Sequence, residues 1–567
     1  MRWTRKPEVD NKTVKHLQEV LGVDRVIAQL LVQRNITTYE QAKEFFRPSL
    51  DDLHDPFLMK DMDKAVARIN VAMARGEKIL VFGDYDVDGT TSVALMSSYL
   101  QTFYPQVDTY IPDRYGEGYG VSYQGIDYAY DNEMTLIITL DCGIKSVEHV
   151  KYAKSKGIDF IICDHHLPGD IVPDAIAVLD AKQIDCKYPY KELCGCGVGF
   201  KLVQALASQR GQTIEDLIPY LDLVATAIGA DIVPITGENR VLAYYGLKVI
   251  NSNPRPGIRA LLSFYEQKEF TISDIVFKVA PKINAAGRIE HGNFAVALLT
   301  RFTEVEARET AEKIILLNEE RRSFDQTITV EALEMIEDHK EVSNKSTVVF
   351  NPDWHKGVIG IVASRLIETY YRPTLVFTAS GDYLAASARS VKNFDIYQAL
   401  EACSEHLIQF GGHMYAAGLT IKKEQYKGFK ARFEEVVANT IEEKDLIPEI
   451  EIDAVIDFTD ITEKFYRILK QFEPFGPENM SPVFLTHEVS DTGYGKRVGK
   501  NGEHLRLTVK QGRNMEHKYA AIGFNLGSSF EDIRDRQECT IVYSIEENAW
   551  NGKVSLQLQI KDLQSAR

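Results

Sequence analysis

No stretch of this chain approaches the roughly 20 apolar residues of a membrane-spanning helix, and Met1 to Lys6 lacks the apolar core of a secretion signal. A cytoplasmic location without a membrane is the default expectation. Cysteine is scarce, with seven scattered over 567 residues, and an odd, dispersed set argues against a disulfide framework. Cys194-Gly195-Cys196, with Cys186 upstream, lacks the second pair that a zinc site needs; buried or loop thiols are the simpler account. Positive charge is also in deficit: 65 Lys and Arg against 82 Asp and Glu leave a net charge of −17. Binding phosphate requires a positive field, so the balance disfavours a nucleic-acid binder. It does not exclude one, because ions offset carboxylates gathered around a metal, and a local basic groove can coexist with an acidic exterior.

At 44% hydrophobic and 26% charged residues, the rest of the composition is that of an ordinary globular protein. The length allows three or four domains at roughly 150 residues each. Lys78-Ile79-Leu80-Val81-Phe82 is a short β-rich apolar run, and Ser92 to Leu100 has helical spacing. Between them stands Gly83-Asp84-Tyr85-Asp86-Val87-Asp88-Gly89-Thr90-Thr91. Aspartates at alternate positions raise the cost of ionising one another unless a cation is present, and a hard divalent metal removes that cost. A solvated acidic turn, with Thr90 and Thr91 as helix caps, is the bland alternative. Gly89 and the apolar strand instead place the turn inside a fold.

Leu136-Ile137-Ile138-Thr139-Leu140 runs into Asp141-Cys142-Gly143, and Phe160-Ile161-Ile162-Cys163 runs into Asp164-His165-His166. Such continuous apolar runs suit a parallel sheet covered on both faces. One acid at a strand end can be an N-cap, but three in register are hard to explain without a site at the carboxyl edge. Carboxylates with imidazole and no thiolate favour Mn²⁺ or Mg²⁺, and more than four aspartates point to two ions. Two ions about 4 Å apart suit in-line hydrolysis of a phosphoester.

Asp164-His165-His166 resembles the signature of the DHH phosphoesterases, and the Gly83–Gly89 and Asp141–Gly143 stretches match the first two motifs of that family in order and spacing. Ala225-Thr226-Ala227-Ile228-Gly229-Ala230-Asp231-Ile232-Val233-Pro234, with Gly237-Glu238-Asn239-Arg240, resembles the bacterial branch that degrades single-stranded DNA from the 5′ end. The resemblance implies a catalytic set of Asp84, Asp86, Asp88, Asp141, His165, His166 and Asp231. Asp86, Asp88, Asp141, His165 and Asp231 would bind metal, and Asp84 and His166 would be ligands or would orient ligands. Asp222, in a helical stretch, is a rival to Asp231. Phe82 stands where some relatives carry a metal-binding histidine.

The expected fold class is α/β: a DHH domain with a parallel sheet at 76–302, behind an N-terminal helical cap at 1–75. A linker helix at 303–341 follows, then a second α/β domain of DHHA1 type at 342–445 and an OB-like β-barrel at 449–567. Pro281 to Arg288 also matches the family, and Arg288 offers a fork that fits phosphate, with Lys282 adding a point charge. In the DHHA1-like domain, Arg365, Ser387, Arg389 and His413 are candidate phosphate donors among glycines that permit close approach. Ile314, Leu317, Phe324, Ile328, Ala332 and Met335 give the linker helix an apolar stripe, interrupted by Arg321. In the barrel, Lys496, Arg497, Lys500, Arg506, Lys510 and Arg513 supply a basic side, and Tyr494 and Trp550 can stack on bases.

The resemblance therefore implies a monomeric 5′ to 3′ exonuclease that releases 5′-mononucleotides in DNA repair and recombination, with a helicase and a single-strand-binding protein as partners. An extra C-terminal domain carried by some relatives is absent here if 567 residues is the whole protein. The alternatives are a phosphodiesterase for short oligonucleotides or cyclic dinucleotides, and a scaffold that binds DNA without cleaving it.

Overall fold

The structure, a computed structural model, describes all residues except 268, 513–516, 535–536, 551–552 and 566–567; the side chains of residues 549, 550 and 553 also lie outside the description. Two units emerge. Residues 55–231 and 245–448 form one; residues 1–54, 232–244 and 449–567 form the other.

The first unit is built on a five-stranded parallel sheet in the order Val107–Tyr110, Lys78–Gly83, Met134–Leu140, Asp159–Cys163, Ala177–Leu179. Its central strands are buried along almost their whole length, as continuous apolar runs require when both faces are covered. From Lys78–Gly83 the chain passes outward to Val107–Tyr110 and then returns across it to Met134–Leu140. That reversal opens a crevice at the carboxyl ends of the two strands. The Val87–Gln101 helix that follows the first strand is itself almost wholly buried. Its first turn presses on the strand end so closely that a Cβ on Gly89 would lie 2.3 Å from the Asp84 carbonyl oxygen, which leaves room only for glycine.

A second sheet in the same unit runs Leu407–His413, Ala416–Lys422, Tyr383–Arg389, Thr374–Ser380, Thr347–Phe350, with only the last pair parallel. Between the two sheets runs a 35-residue helix, Glu304–Asp338, capped by Thr303. Ile314, Ile328 and Ala332 of the expected stripe are buried, but Phe324 is exposed, and the buried residues of the middle turns are the polar Asn318 and Asp325. The interruption at Arg321 is thus a polar seam: Arg321 donates to Asn318 Oδ1 (2.7 Å), and Asp325 pairs with Arg365 (2.7 Å).

In the other unit, Arg2–Arg5 pairs in parallel with Glu449–Ile452. A seven-stranded, OB-like sheet follows in the order Ala454–Val455, Phe484–Asp491, Cys539–Trp550, Lys553–Ser565, Lys518–Gly523, His504–Gln511, Lys496–Val498, and Phe484–Asp491 also meets His504–Gln511. The expectation of one N-terminal cap over residues 1–75 is corrected here. Val14, Leu17, Ile27, Leu30 and Leu31 share a core with Phe465, Leu469, Phe472 and the barrel residues Val509 and Tyr543, so the chain divides between residues 54 and 55. Residues 232–244 also leave the catalytic stretch for this unit. The buried Arg240 guanidinium donates to the carbonyl oxygens of Phe45, Gln471, Phe472, Glu473 and Pro474. Among the described residues, no helix is long and apolar enough to cross a membrane.

Candidate metal centre and phosphate site

Strand register assembles the acids. Gly83 is paired with Leu140, Leu140 with Cys163, and Cys163 with Leu179. The next residues, Asp84, Asp141, Asp164 and Asp180, therefore line the carboxyl edge in a row, all buried. Asp180 was not expected, because its three-residue strand is too short to show a period. Asp141 adopts φ +60°, a left-handed conformation that non-glycine residues rarely hold.

Around this row the side chains converge on His165. Its Nε2 lies 3.1 Å from Asp141 Oδ1, 3.6 Å from Asp231 Oδ2 and 3.9 Å from Asp88 Oδ2. Asp231 reaches it from the last residue of the Leu221–Asp231 helix. Asp88 also accepts from the backbone N–H groups of Gly195 (2.6 Å) and Cys196 (2.7 Å), the start of the Gly195–Gln209 helix. A Cβ on Gly195 would fall 2.5 Å from that of Asp141, so glycine lets this helix end approach the acids. Asp164 is a scaffold: its Oδ1 accepts from the His165 and His166 N–H groups and lies 2.7 Å from His166 Nδ1, while Oδ2 accepts from the Ile144 N–H. Asp84 Oδ1 accepts from the Gly120 N–H (3.2 Å), and Asp86 caps its helix through the Gly89 N–H. Asp141-His165-His166 and Asp88-His165-Asp231 are each close enough to hold one metal ion, with His165 common to both.

The electrostatics call for a cation. Burial and the neighbouring Asp86 charge push Asp88 up to about 7 and raise Asp84 well above the carboxylate range. Burial, then the Asp88 and Asp86 charges, does the same to Asp141 and Asp231. His165 is pushed down to about 3 by burial and by His166, which keeps it the neutral imidazole that a metal needs. Asp164 behaves oppositely: burial would raise it, but the His166 bond and the Ile144 N–H hold it below the usual range. Asp84 Oδ2, Asp141 Oδ1 and His165 Nε2 are buried without a hydrogen-bonding partner, although Asp141 Oδ1 and His165 Nε2 are so close. Buried polar atoms are normally satisfied. Carboxylate and imidazole donors aimed at one another without bonding fit a hard divalent ion such as Mn²⁺ or Mg²⁺.

Asp222 is placed elsewhere: fully buried, it accepts from the Arg255 N–H and Nε at 2.8 and 2.9 Å. Phe82 is a core residue stacked on Tyr110, ring centroids 5.3 Å apart. All seven cysteines are buried and free, and burial raises the Cys194 and Cys196 thiols, which suits packing and not zinc.

Arg288 extends one side-chain hydrogen bond, from Nη1 to the Gly357 carbonyl (2.8 Å). Burial and the charges of Arg114, Arg389 and Arg321 push it down to about 9, so several guanidinium charges act on one another in this region. Arg389 donates to Ser387 Oγ (3.1 Å), and a Cβ on Gly360 would sit 2.8 Å from that hydroxyl. Lys282 is directed away from such a role: its buried ammonium donates to the Tyr265 hydroxyl and the Lys278 carbonyl. Arg365 is engaged by Asp325, and His413 is exposed at the end of a hairpin strand. In the other unit, Arg506 lies opposite Lys496 across a strand pair, and Arg497 is 3.7 Å from Glu531. Tyr494 is exposed; Arg513 and the Trp550 side chain lie outside the described residues.

The loop from Pro112 to Gly120 was not read as functional. It carries Arg114, stacked 4.0 Å over the Tyr85 ring; Tyr115, whose hydroxyl donates to the Arg288 carbonyl; and Tyr119, 3.2 Å from His166 Nε2. Loop positions have no periodicity to betray them.

Three family models match the chain: the DHH family N-terminal domain over residues 78–228, the DHHA1 domain over 343–439 and the RecJ OB domain over 452–562. Fold and site together define a DHH-type phosphoesterase. Over 99% of its length the chain is 39% identical to a single-stranded-DNA-specific exonuclease RecJ of Bacillus subtilis, covering 70% of that protein, and it is 33% identical to the Escherichia coli RecJ, covering 89% of this chain and 90% of that one. A crystal structure of RecJ from Thermus thermophilus in complex with Mn²⁺ superimposes with a TM-score of 0.85 at 27% identity, over the whole of this chain and 80% of that one. The chain belongs to the RecJ family.

Proposed function

We propose that this chain is a metal-dependent exonuclease that degrades single-stranded DNA from 5′ to 3′ and releases 5′-mononucleotides. The observation that carries this reading is the row of strand-end aspartates meeting neutral His165 between Asp88, Asp141 and Asp231. Asp86, Asp88, Asp141, His165 and Asp231 would hold Mn²⁺ or Mg²⁺, with Asp84 and His166 as further ligands or orienting groups. Bound there, two ions would stabilise charge on the phosphoryl oxygens and make a water nucleophilic near neutral pH. Crystal structures of Thermus thermophilus RecJ in complex with Mn²⁺ and with Mg²⁺ support that choice.

The protein's own groups do the rest. Asp164 aims both histidines, and the Gly195–Cys196 N–H groups fix Asp88. Arg288, Arg389 and Ser387, with Arg114, bind a phosphate of the strand, which Gly357 and Gly360 allow to come close. The OB-like domain adds Arg497 and Arg506 as further candidates for binding the strand. A small ester would need no such domain, which argues against the oligonucleotide or cyclic-dinucleotide reading. An enzyme restricted to single strands needs duplexes opened for it, so a helicase and a single-strand-binding protein are fitting partners for a cytoplasmic, monomeric enzyme.

Digesting single-stranded and duplex DNA of equal length in Mn²⁺ tests the proposal. The single strand should be consumed to mononucleotides, and Asp141→Ala should reduce the rate by more than about 100-fold, beyond what loss of a merely supporting contact costs. Equal digestion of both substrates, or an active Asp141→Ala enzyme, would overturn it.

A further inference from the structure

An open surface cavity of about 650 Å³ has Leu167, Lys182, Ile184, Lys191 and Glu192 among its walls, next to the metal-site histidines in the chain. Leu167 directly follows His166, and Glu192 precedes Leu193, whose backbone acts on the His165 ring. The carboxylate cluster thus has a cation on each flank: the Arg114 charge acts on Asp84, and the Lys182 charge acts on His165 and Asp231. The arginine flank is enclosed, with Arg288 tied to Gly357. The Lys182 flank opens to solvent and is walled by exposed apolar side chains, Leu167 and Ile184.

Those walls are held firmly. Lys60 bonds both Gln183 and Asp185, Gln183 Nε2 donates to the Val178 carbonyl (2.8 Å), and Lys191 Nζ donates to the Cys186 carbonyl (2.8 Å). The Lys182 backbone is pinned by Asp180 (2.7 Å), while its ammonium lies 3.6 Å from Glu192, beyond hydrogen-bond distance. Two exposed aliphatic side chains offer apolar contact to the face of a nucleobase, and a cation beside them offers a charge to its phosphate.

We propose that this cavity is the subsite for the nucleotide on the 3′ side of the scissile phosphate, its base lying against Leu167 and Ile184 and its own 3′ phosphate meeting Lys182. The proposal rests on the exonuclease reading, which puts one phosphate among the arginines and the next at the metal centre; the strand then leaves by the open flank. A base still paired in a duplex cannot turn into the cavity, so the subsite would favour single strands.

The test uses the full-length enzyme in Mn²⁺ with a 5′-phosphorylated 20-mer and the same 20-mer carrying an abasic residue at its second position. Removing the base, or substituting Ile184→Ser, should each lower the kcat/KM of the first cut by about fivefold, and the two changes together should cost no more than either alone. Lys182→Ala should raise KM on both substrates. Multiplying effects of the two changes, or wild-type kcat/KM in both variants, would overturn the subsite; the latter result would leave the apolar walls to a protein partner. If the wild-type enzyme leaves the intact 20-mer uncut, it is the exonuclease reading that fails.

Discussion

Asp222 and Asp231 occupy one helix, nine residues apart, and their surroundings divide their work. Asp222 is locked to Arg255, whereas Asp231 faces His165. Removing one partner of a buried ion pair costs about 3–5 kcal/mol. Asp222→Ala should therefore lower the unfolding midpoint in denaturant sharply, while the enzyme that remains folded keeps its kcat. Asp231→Asn should do the reverse: unfolding within about 1 kcal/mol of wild type, with kcat in Mn²⁺ down by more than about 100-fold. Stability and kcat falling together in either variant would contradict this division. Sequence alone could not separate the two acids, because the residue that decides the matter, Arg255, is 33 positions from Asp222. Asp84, Asp141 and Asp164 were legible, since each ends a long apolar strand. Asp180 was not, because its strand spans three residues.

At the scale of elements, the loop from Pro112 to Gly120 joins two parts of the site. Its Gly120 N–H reaches Asp84 and its Tyr119 reaches His166, while the Tyr115 hydroxyl holds the Arg288 carbonyl. Tyr115 also packs edge-on against His355, which stacks on Phe324 of the long helix, ring centroids 5.1 Å apart. A Cβ on Gly357 would collide with the same hydroxyl, so the DHH and DHHA1 domains meet around Tyr115. Tyr115→Phe removes one hydrogen bond, worth about 1 kcal/mol, or roughly fivefold in binding. KM for single-stranded DNA should rise by about that factor with Mn²⁺ affinity unaltered. An unchanged KM, or a loss of Mn²⁺ affinity in titration calorimetry, would refute this positioning role. Periodicity revealed the strands and the long helix, but a loop's place is set by what it touches, and those partners are scattered from Asp84, 36 residues before Gly120, to Arg288, 173 residues after Tyr115, and on to His355.

At the scale of the whole molecule, acids crowded into one crevice of a chain with net charge −17 oppose folding until a cation joins them. Mn²⁺ at about 100 times its dissociation constant should add roughly 2.7 kcal/mol, seen as a higher Tm that chelation reverses. A Tm indifferent to Mn²⁺ would count against the metal centre.

Chain order hid the division into two units, because the apolar stripes of the first 54 residues find their partners more than 400 residues away. That division fixes how the barrel's contribution should be measured. Deleting only residues 449–567 strands Val14, Leu17, Ile27 and Leu30 without Phe465, Leu469 and Phe472, and exposed core surface of this kind drives aggregation. Deleting residues 1–54 as well removes both halves of that core. The 55–448 protein should be the more soluble truncation by gel filtration and should keep Mn²⁺-dependent cleavage of short oligonucleotides. Its affinity for long single strands should fall, together with the salt dependence that Lys496, Arg497 and Arg506 would contribute if they meet the phosphates. If the single deletion proves as soluble as the double one, the shared core is not what holds the first 54 residues in place.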